Sequence, residues 1–303
     1  TRNTFATDQE TLDWALAIIS GVSQLYQAQT LATIQVVHSI IWNTVDYVDT
    51  INYTGPAIGA IIPYWITHYS SINRDLAHFM SKRNLGGGEA WGSLCGLGTN
   101  MGHGISSGLN NQTNFNFPNP SYTWNLGVVA HEIGHTIGAD HTHGCNWIAD
   151  TTYGFIGPGI DNCAQQAGTW LNCTPPAPSP VSGTIMSYCH LVNSIPMILE
   201  FHDIVITQAL NPGIANASCL TACIFYGCTD PLAYNYDSLA NTNDGSCCFI
   251  AGCMDTIATN YNAIACYDDG SCIIIITALN ETADTDRKLL RITDVLGQET
   301  PQR

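Results

Sequence analysis

Residues 131–141 read HEIGHTIGADH, which gathers three of the chain's ten histidines and one glutamate around two glycines. In a helix, residues four apart share a face, so His131 and His135 can offer ring nitrogens to one point while Glu132 projects alongside. His141 cannot join them on a continuing helix. Ten residues at about 1.5 Å each would carry it roughly 15 Å along the axis. Something must end the helix and turn the chain back, and Gly138 stands in the right place, because glycine closes a helix in a left-handed conformation without steric penalty. Gly134 is expected to serve close packing.

Three neutral imidazoles are a ligand set for zinc, which accepts imidazole nitrogen at about 2.0–2.1 Å and keeps a fourth position for water in catalytic sites. Zinc lowers that water's pKa toward neutrality, and Glu132 can take its proton. The expected metal ligands are therefore His131, His135 and His141, with Glu132 catalytic. The apolar run 126–130 before them fits a helix buried behind the metal. HExxH alone is a weak signal, whereas HExxHxxGxxH fixes five positions with one mechanical rationale.

The segment resembles the metzincin metallopeptidases, and a second stretch supports the resemblance. Residues 183–190, GTIMSYCH, look like that family's Met-turn, whose methionine, here Met186, would form a hydrophobic floor under the histidines. Tyr188 matches the tyrosine that in astacin-like and serralysin-like members reaches the zinc or stabilises the oxyanion. The residue after the third histidine is Thr142, where reprolysins typically have Asp, astacins Glu and serralysins Pro. The run 128–147 together with GTIMSYCH looks most like the reprolysin-like secreted peptidases of Bacteroidota. The resemblance implies an α/β (α+β) metzincin-like catalytic domain. Its parts would be a twisted, mainly parallel sheet with helices, an active-site helix and an irregular C-terminal subdomain, with the substrate cleft between. The segment after the Met-turn, 190–197, would border the main specificity pocket, and its apolar residues imply a hydrophobic side chain after the cut. His143 and His190 are read as neighbours of the site rather than ligands, and Cys145 and Cys189 as disulfide partners.

Composition narrows the setting. Charged residues are only 11% of the chain, and acids outnumber bases 24 to 8, a net charge of -16. Nucleic acid and anionic membrane are excluded as natural partners of such a surface. No apolar stretch approaches the ~18 residues of a membrane span. Thirteen cysteines without CxxC pairs point to an oxidising compartment with disulfides. Because the number is odd, at least one is left over or pairs between chains. An export signal is expected to lie outside this chain.

Along the chain, residues 8–28 place Leu12, Ala15, Ile19, Val22 and Tyr26 at helical spacing. Residues 31–42, rich in β-branched side chains, read as a buried strand. A second helix is expected over 73–82, then a glycine turn at 84–88. That NLGGG lacks the GK[ST] of a phosphate loop. Residues 102–109 read as an edge strand on which an extended peptide could lie, and 110–122 as a loop. Residues 144–184, with Cys145, Cys163 and Cys173, need stapling. A last helix is expected over 197–210, ending before Asn211-Pro212-Gly213.

Beyond Cys219 the character changes. YGCTDPLAYNYDSLANTNDGSC (226–247) recurs as AGCMDTIATNYNAIACYDDGSC (251–272) at an offset of 25 residues. Units this short need cross-links, most simply Cys228 with Cys247 and Cys253 with Cys272. Their Asp and Asn oxygens are candidate Ca2+ ligands, beside a reading as disulfide-clamped spacers. The GCTD…DGSC units resemble modules that follow catalytic domains in secreted bacterial proteins. The tail, RKLLRITDVLGQET, resembles the start of a type IX secretion sorting domain, which implies cell-surface attachment through that region.

The expected layout is a zinc peptidase domain at 1–220, two repeats within 226–272 and a tail at 273–303 resembling a truncated sorting domain. The expected function is a secreted, zinc-dependent (Zn2+) endopeptidase acting on protein or peptide. A zinc amidase on a small or cell-wall substrate is one alternative. An adhesin-like binding module with a vestigial zinc site is the other, and the intact Glu132 argues against it.

Overall fold

The computed structural model describes residues 5–30, 32–42, 50–95, 102–168, 172–220, 226–238, 240 and 242–274. The chain divides into two compact units, Thr1–Ala222 and Cys223–Arg303.

The first unit opens with α1 (Asp8–Gln29), started by a capping box in which the Thr7 hydroxyl accepts from the Glu10 N–H and the Glu10 carboxylate reaches back. Its buried face is Trp14, Ile18, Val22, Leu25 and Tyr26, so the helix is rotated relative to the expected stripe, and Ala15 and Ile19 are only partly buried. That face packs against α3 (Trp124–Ile137), where Leu126, Val129, Ala130 and Ile133 are fully or almost fully buried. Each such side chain stabilises the fold by about 1.5–3 kcal/mol on leaving water.

A three-stranded sheet lies beside α3. Its strands are β1 (Leu76–Met80), β2 (Gly88–Trp91) and β3 (Gly102–Ser106), in the order β1-β3-β2. β1 pairs parallel to β3, while β2 runs antiparallel to it from Gly88 opposite Ser106 to Trp91 opposite His103. The expected mainly parallel sheet is thus mixed among the described residues. β3 is its buried centre and not an edge, because strands on both sides take its hydrogen bonds; β2 holds an outer position. Gly88 faces α3 and Glu89 faces α2 (Thr54–Tyr69), so the two helices cover opposite faces.

Two expectations fail here for one reason. Residues 76–80 are a strand, not part of a helix over 73–82, because a short apolar run fits either period and the parallel partner β3 decides. Residues 32–42 form no ladder among the described residues, and Val37 is 68% exposed, since β-branched residues specify a strand only where a partner edge accepts it. The helix that covers the sheet is instead α2, unread in the sequence because Gly55, Gly59 and Pro63 interrupt it. It is held by Ala57, Ile58, Ile61 and Ile62 packing on Leu85 and Ile105.

After α3 the chain is irregular and stapled by Cys145–Cys173 and Cys163–Cys189, with one short helix, α4 (Cys163–Gln166). The last helical stretch begins only at α5 (Asp203–Val205). It passes through a π turn (Ile206–Leu210) and continues as α6 (Asn211–Asn216), beyond its expected end. Pro212 follows directly on the π turn, at the junction with α6. Residues 197–200 run beside the 183–186 stretch instead: Ile198 N donates to Gly183 O and Ile185 N to Glu200 O. Cys95–Cys219 closes this unit.

The second unit contains two equivalent folds. β4 (Tyr226–Gly227) pairs parallel with β5 (Thr242–Asn243), and β6 (Ala251–Gly252) pairs in the same register with β7 (Tyr267–Asp268). Cys228–Cys247 and Cys253–Cys272 are bonded as expected, and a third bridge joins Cys248 to Cys266. The thirteenth cysteine, Cys223, and the tail from residue 275 lie outside the described residues.

Candidate metal centre

The site is built at the C-terminal end of α3. Thr123 caps its start by accepting from Leu126 N at 3.3 Å. The helix is buried on almost every side, as suits a central element. It stops at Gly138, whose φ of +120° is glycine territory. Gly138 N donates to Gly134 O and His135 O, and Ala139 N donates to Gly134 O, which reverses the chain within two residues.

The reversal brings His141 to the other two histidines. The Nε2 atoms of His131, His135 and His141 stand 3.1, 3.1 and 3.2 Å apart. His131 Nδ1 lies 2.7 Å from Ile185 O, and His135 Nδ1 lies 2.7 Å from Ala139 O. Only an N–H can bond a carbonyl, so the proton of each ring sits on Nδ1 and each Nε2 presents a lone pair. Burial, and then the neighbouring imidazoles, hold His131 down at about 3 and His141 at about 2, and burial lowers His135 as well. The rings are therefore neutral.

Two lone pairs and the Nε2 of a third neutral ring, meeting this closely, suit a cation placed among them. A tetrahedral zinc with nitrogens at about 2.0–2.1 Å would separate them by about 3.3 Å. The trio fits that ion. The other convergent group among the described residues, Asp161 with Cys163 and Cys189, does not, because those cysteines are bonded to each other.

Glu132 lies beside the trio, Oε1 4.0 Å from His131 Nε2, with Oε2 buried and without a hydrogen-bond partner. Burial, and secondarily Glu89, push its carboxyl up to about 8. Gly88 makes room for it: a Cβ there would lie 2.4–2.6 Å from the Glu132 side chain. The next residue, Glu89, accepts from Thr54 Oγ1 at 3.0 Å and Trp91 Nε1 at 2.7 Å. It thereby brings a carboxylate to the start of α2, which has no side-chain cap of its own, and pins β2 where Gly88 meets Glu132.

Below the rings, Met186 is fully buried and its Sδ lies against Gly134, where a Cβ would come within 2.8 Å of it. The expected packing role of Gly134 has this physical content. Met186 O accepts from Thr142 N, and the preceding carbonyl orients His131. Tyr188 sets its ring 4.5 Å, edge-on, from His141 and 6.3 Å from His131. His143 is buried and stacks on His141 at 4.8 Å, while His190 sits against Trp124 at 5.7 Å. The carbonyls of Ile185 and Ala139, and the strand pair Gly88-Glu89, escaped the sequence reading. Backbone acceptors carry no residue signature, and the glycine run at 86–88, the one available signal of a close approach, reads in the sequence as a turn.

A cavity of about 420 Å³ opens in front of Glu132, between β2 and the 185–197 segment, with Trp124, Leu191 and Met197 on its wall. The strand along this cleft is β2, not the buried β3, so residues 102–109 cannot receive a peptide as expected.

Residues 15–142, from α1 through the third histidine, match the family described as Metallo-peptidase family M12B Reprolysin-like. The match supports a zinc metallopeptidase of the metzincin type, with protein or peptide as substrate. No curated protein matches the chain.

Proposed function

We propose that this chain is a secreted zinc endopeptidase in which Glu132 is the general base and acid. The observation that carries the reading is the meeting of three imidazole Nε2 atoms within 3.2 Å of one another, two of them fixed as lone pairs by their Nδ1–H bonds, beside a buried carboxyl group with an unpartnered oxygen. Zinc held by His131, His135 and His141 would polarise a scissile carbonyl and lower the pKa of a water toward neutrality. Glu132 takes a proton from the attacking water and returns it to the leaving amine. Tyr188, packed against His141, is assigned to the charge that develops on the carbonyl oxygen. The outer edge of β2 offers main-chain groups to an extended peptide. The apolar wall formed by Trp124, Leu191 and Met197 favours a hydrophobic side chain after the cut. The six disulfides among the described residues support an extracellular setting.

The test is cleavage of unfolded casein by the purified chain and by Glu132→Ala, with zinc determined on both. The expected result is one zinc per chain in each and cleavage by the unmodified chain only. A chain that binds zinc but cuts neither casein nor peptides would overturn the peptidase reading in favour of an amidase or a vestigial site.

A further inference from the structure

The two repeats are an internal experiment in what this small fold requires. They share eleven positions over 22 aligned residues, so the retained ones can be sorted by what each does. Cys228, Cys247, Cys253 and Cys272 form the bridges. Asp230, Asp244, Asp255 and Asp269 each accept the N–H two residues on. Asn235 and Asn260 each tie the DGSC stretch to the residue after it through both ends of the amide. Gly245 and Gly270 have positive φ. Ala233 and Ala258 are buried, and Ala240 and Ala265 close on Gly227 and Gly252. Ser246 and Ser271 hydrogen-bond Asp244 and Asp269.

That leaves apolar side chains with no work in the fold. Tyr236 and Tyr261 are identical in the two copies, yet these residues are 46% and 44% exposed. Leu232 and Ile257 keep an aliphatic side chain at the same position at 84% and 72% exposure, on backbone pinned by Asp230 and Asp255. At Leu232 and Ile257 a polar residue would cost the fold little and would reduce the risk of aggregation. Their retention in both copies, on turns held rigid by a disulfide and an Asx bond, is what a contact surface needs.

The charge around them restricts the partner. Residues 226–274 contain six Asp and no Glu, Lys, Arg or His. Hydrogen bonds from Ser246 and Ser271 lower Asp244 and Asp269, so these carboxyls stay ionised. An anionic bilayer, a nucleic acid or a second copy of the unit would be repelled. A neutral glycan would stack on the tyrosines but leave the aliphatic tips and the carboxylates unmatched.

We infer that the repeat unit is a docking surface for a cationic, amphipathic polypeptide segment. In each repeat its apolar residues would cover the aliphatic side chain and the tyrosine, Leu232 with Tyr236 or Ile257 with Tyr261, and its Lys or Arg would meet the aspartates of that repeat.

The experiment measures binding of the full chain to an immobilised Leu/Lys peptide of helical amphipathic spacing. The peptide is made of D-residues, so that peptide cleavage plays no part. A Leu/Glu counterpart and insoluble cellulose serve as comparisons. Binding should favour the Leu/Lys peptide and weaken about tenfold as salt rises from about 50 to about 300 mM. It should fall roughly tenfold in Leu232→Ser/Ile257→Ser and again in Tyr236→Ser/Tyr261→Ser, two pairs that leave the charge unchanged. Disulfide mapping of both variants confirms that the unit is intact. Equal binding by both variants and the parent, equal binding of the Leu/Glu peptide, or retention on cellulose alone would overturn the inference.

Discussion

The two units use the same polar residue types in opposite ways. In the first, His131, Glu132 and His143 are buried, and the functional atoms of distant residues are aimed at one another. In the repeats, Asp and Asn side chains are exposed and most close on a backbone N–H two residues away. Five of these carboxylates, which suggested Ca2+ in the sequence, close turns here, and among the described residues no three His, Cys, Asp or Glu groups of the repeats converge. Polar groups can be held at a reactive geometry only where a core pays their desolvation; a unit without a core binds them locally and leaves its apolar side chains outside.

Reduction should separate the units most sharply. The three repeat bridges close loops of 19, 18 and 19 residues, each contributing about 3 kcal/mol. Thiol treatment should therefore remove hydrogen-exchange protection from 226–274 while α3 stays protected. Persistent protection in the repeats would mean that they do have a core.

His135→Ala should abolish zinc binding and lower casein cleavage more than about 10³-fold, with the repeat disulfides and Leu/Lys peptide binding intact; zinc per chain and turnover check it. Gly88→Ala is the subtler probe, because the new Cβ collides with Glu132 and not with a histidine. Cleavage should fall about 10- to 100-fold with zinc retained. Equal activity would show that Glu132 does not depend on β2. Gly134→Ala drives a methyl toward Met186 and should cost about 1–3 kcal/mol in thermal or denaturant unfolding. Thr123→Ala, which removes the α3 cap, should cost about 1 kcal/mol by the same measurement.

What could be read from the chain alone follows short-range rules. Helical spacing puts His131 and His135 on one face, a glycine at 138 permits the reversal that brings in His141, and a 25-residue repeat pairs Cys228 with Cys247 and Cys253 with Cys272. Each rule involves residues within about twenty positions and one dominant physical constraint. Only the tertiary structure decided that 76–80 is a strand, that 102–106 is central while 88–91 is outermost and brings Gly88 to the cleft, and that α2 forms despite its glycines and proline. It also decided which carbonyls orient His131 and His135. These outcomes depend on partners far along the chain, and an apolar run or a backbone oxygen does not name its partner; burial against one particular surface does.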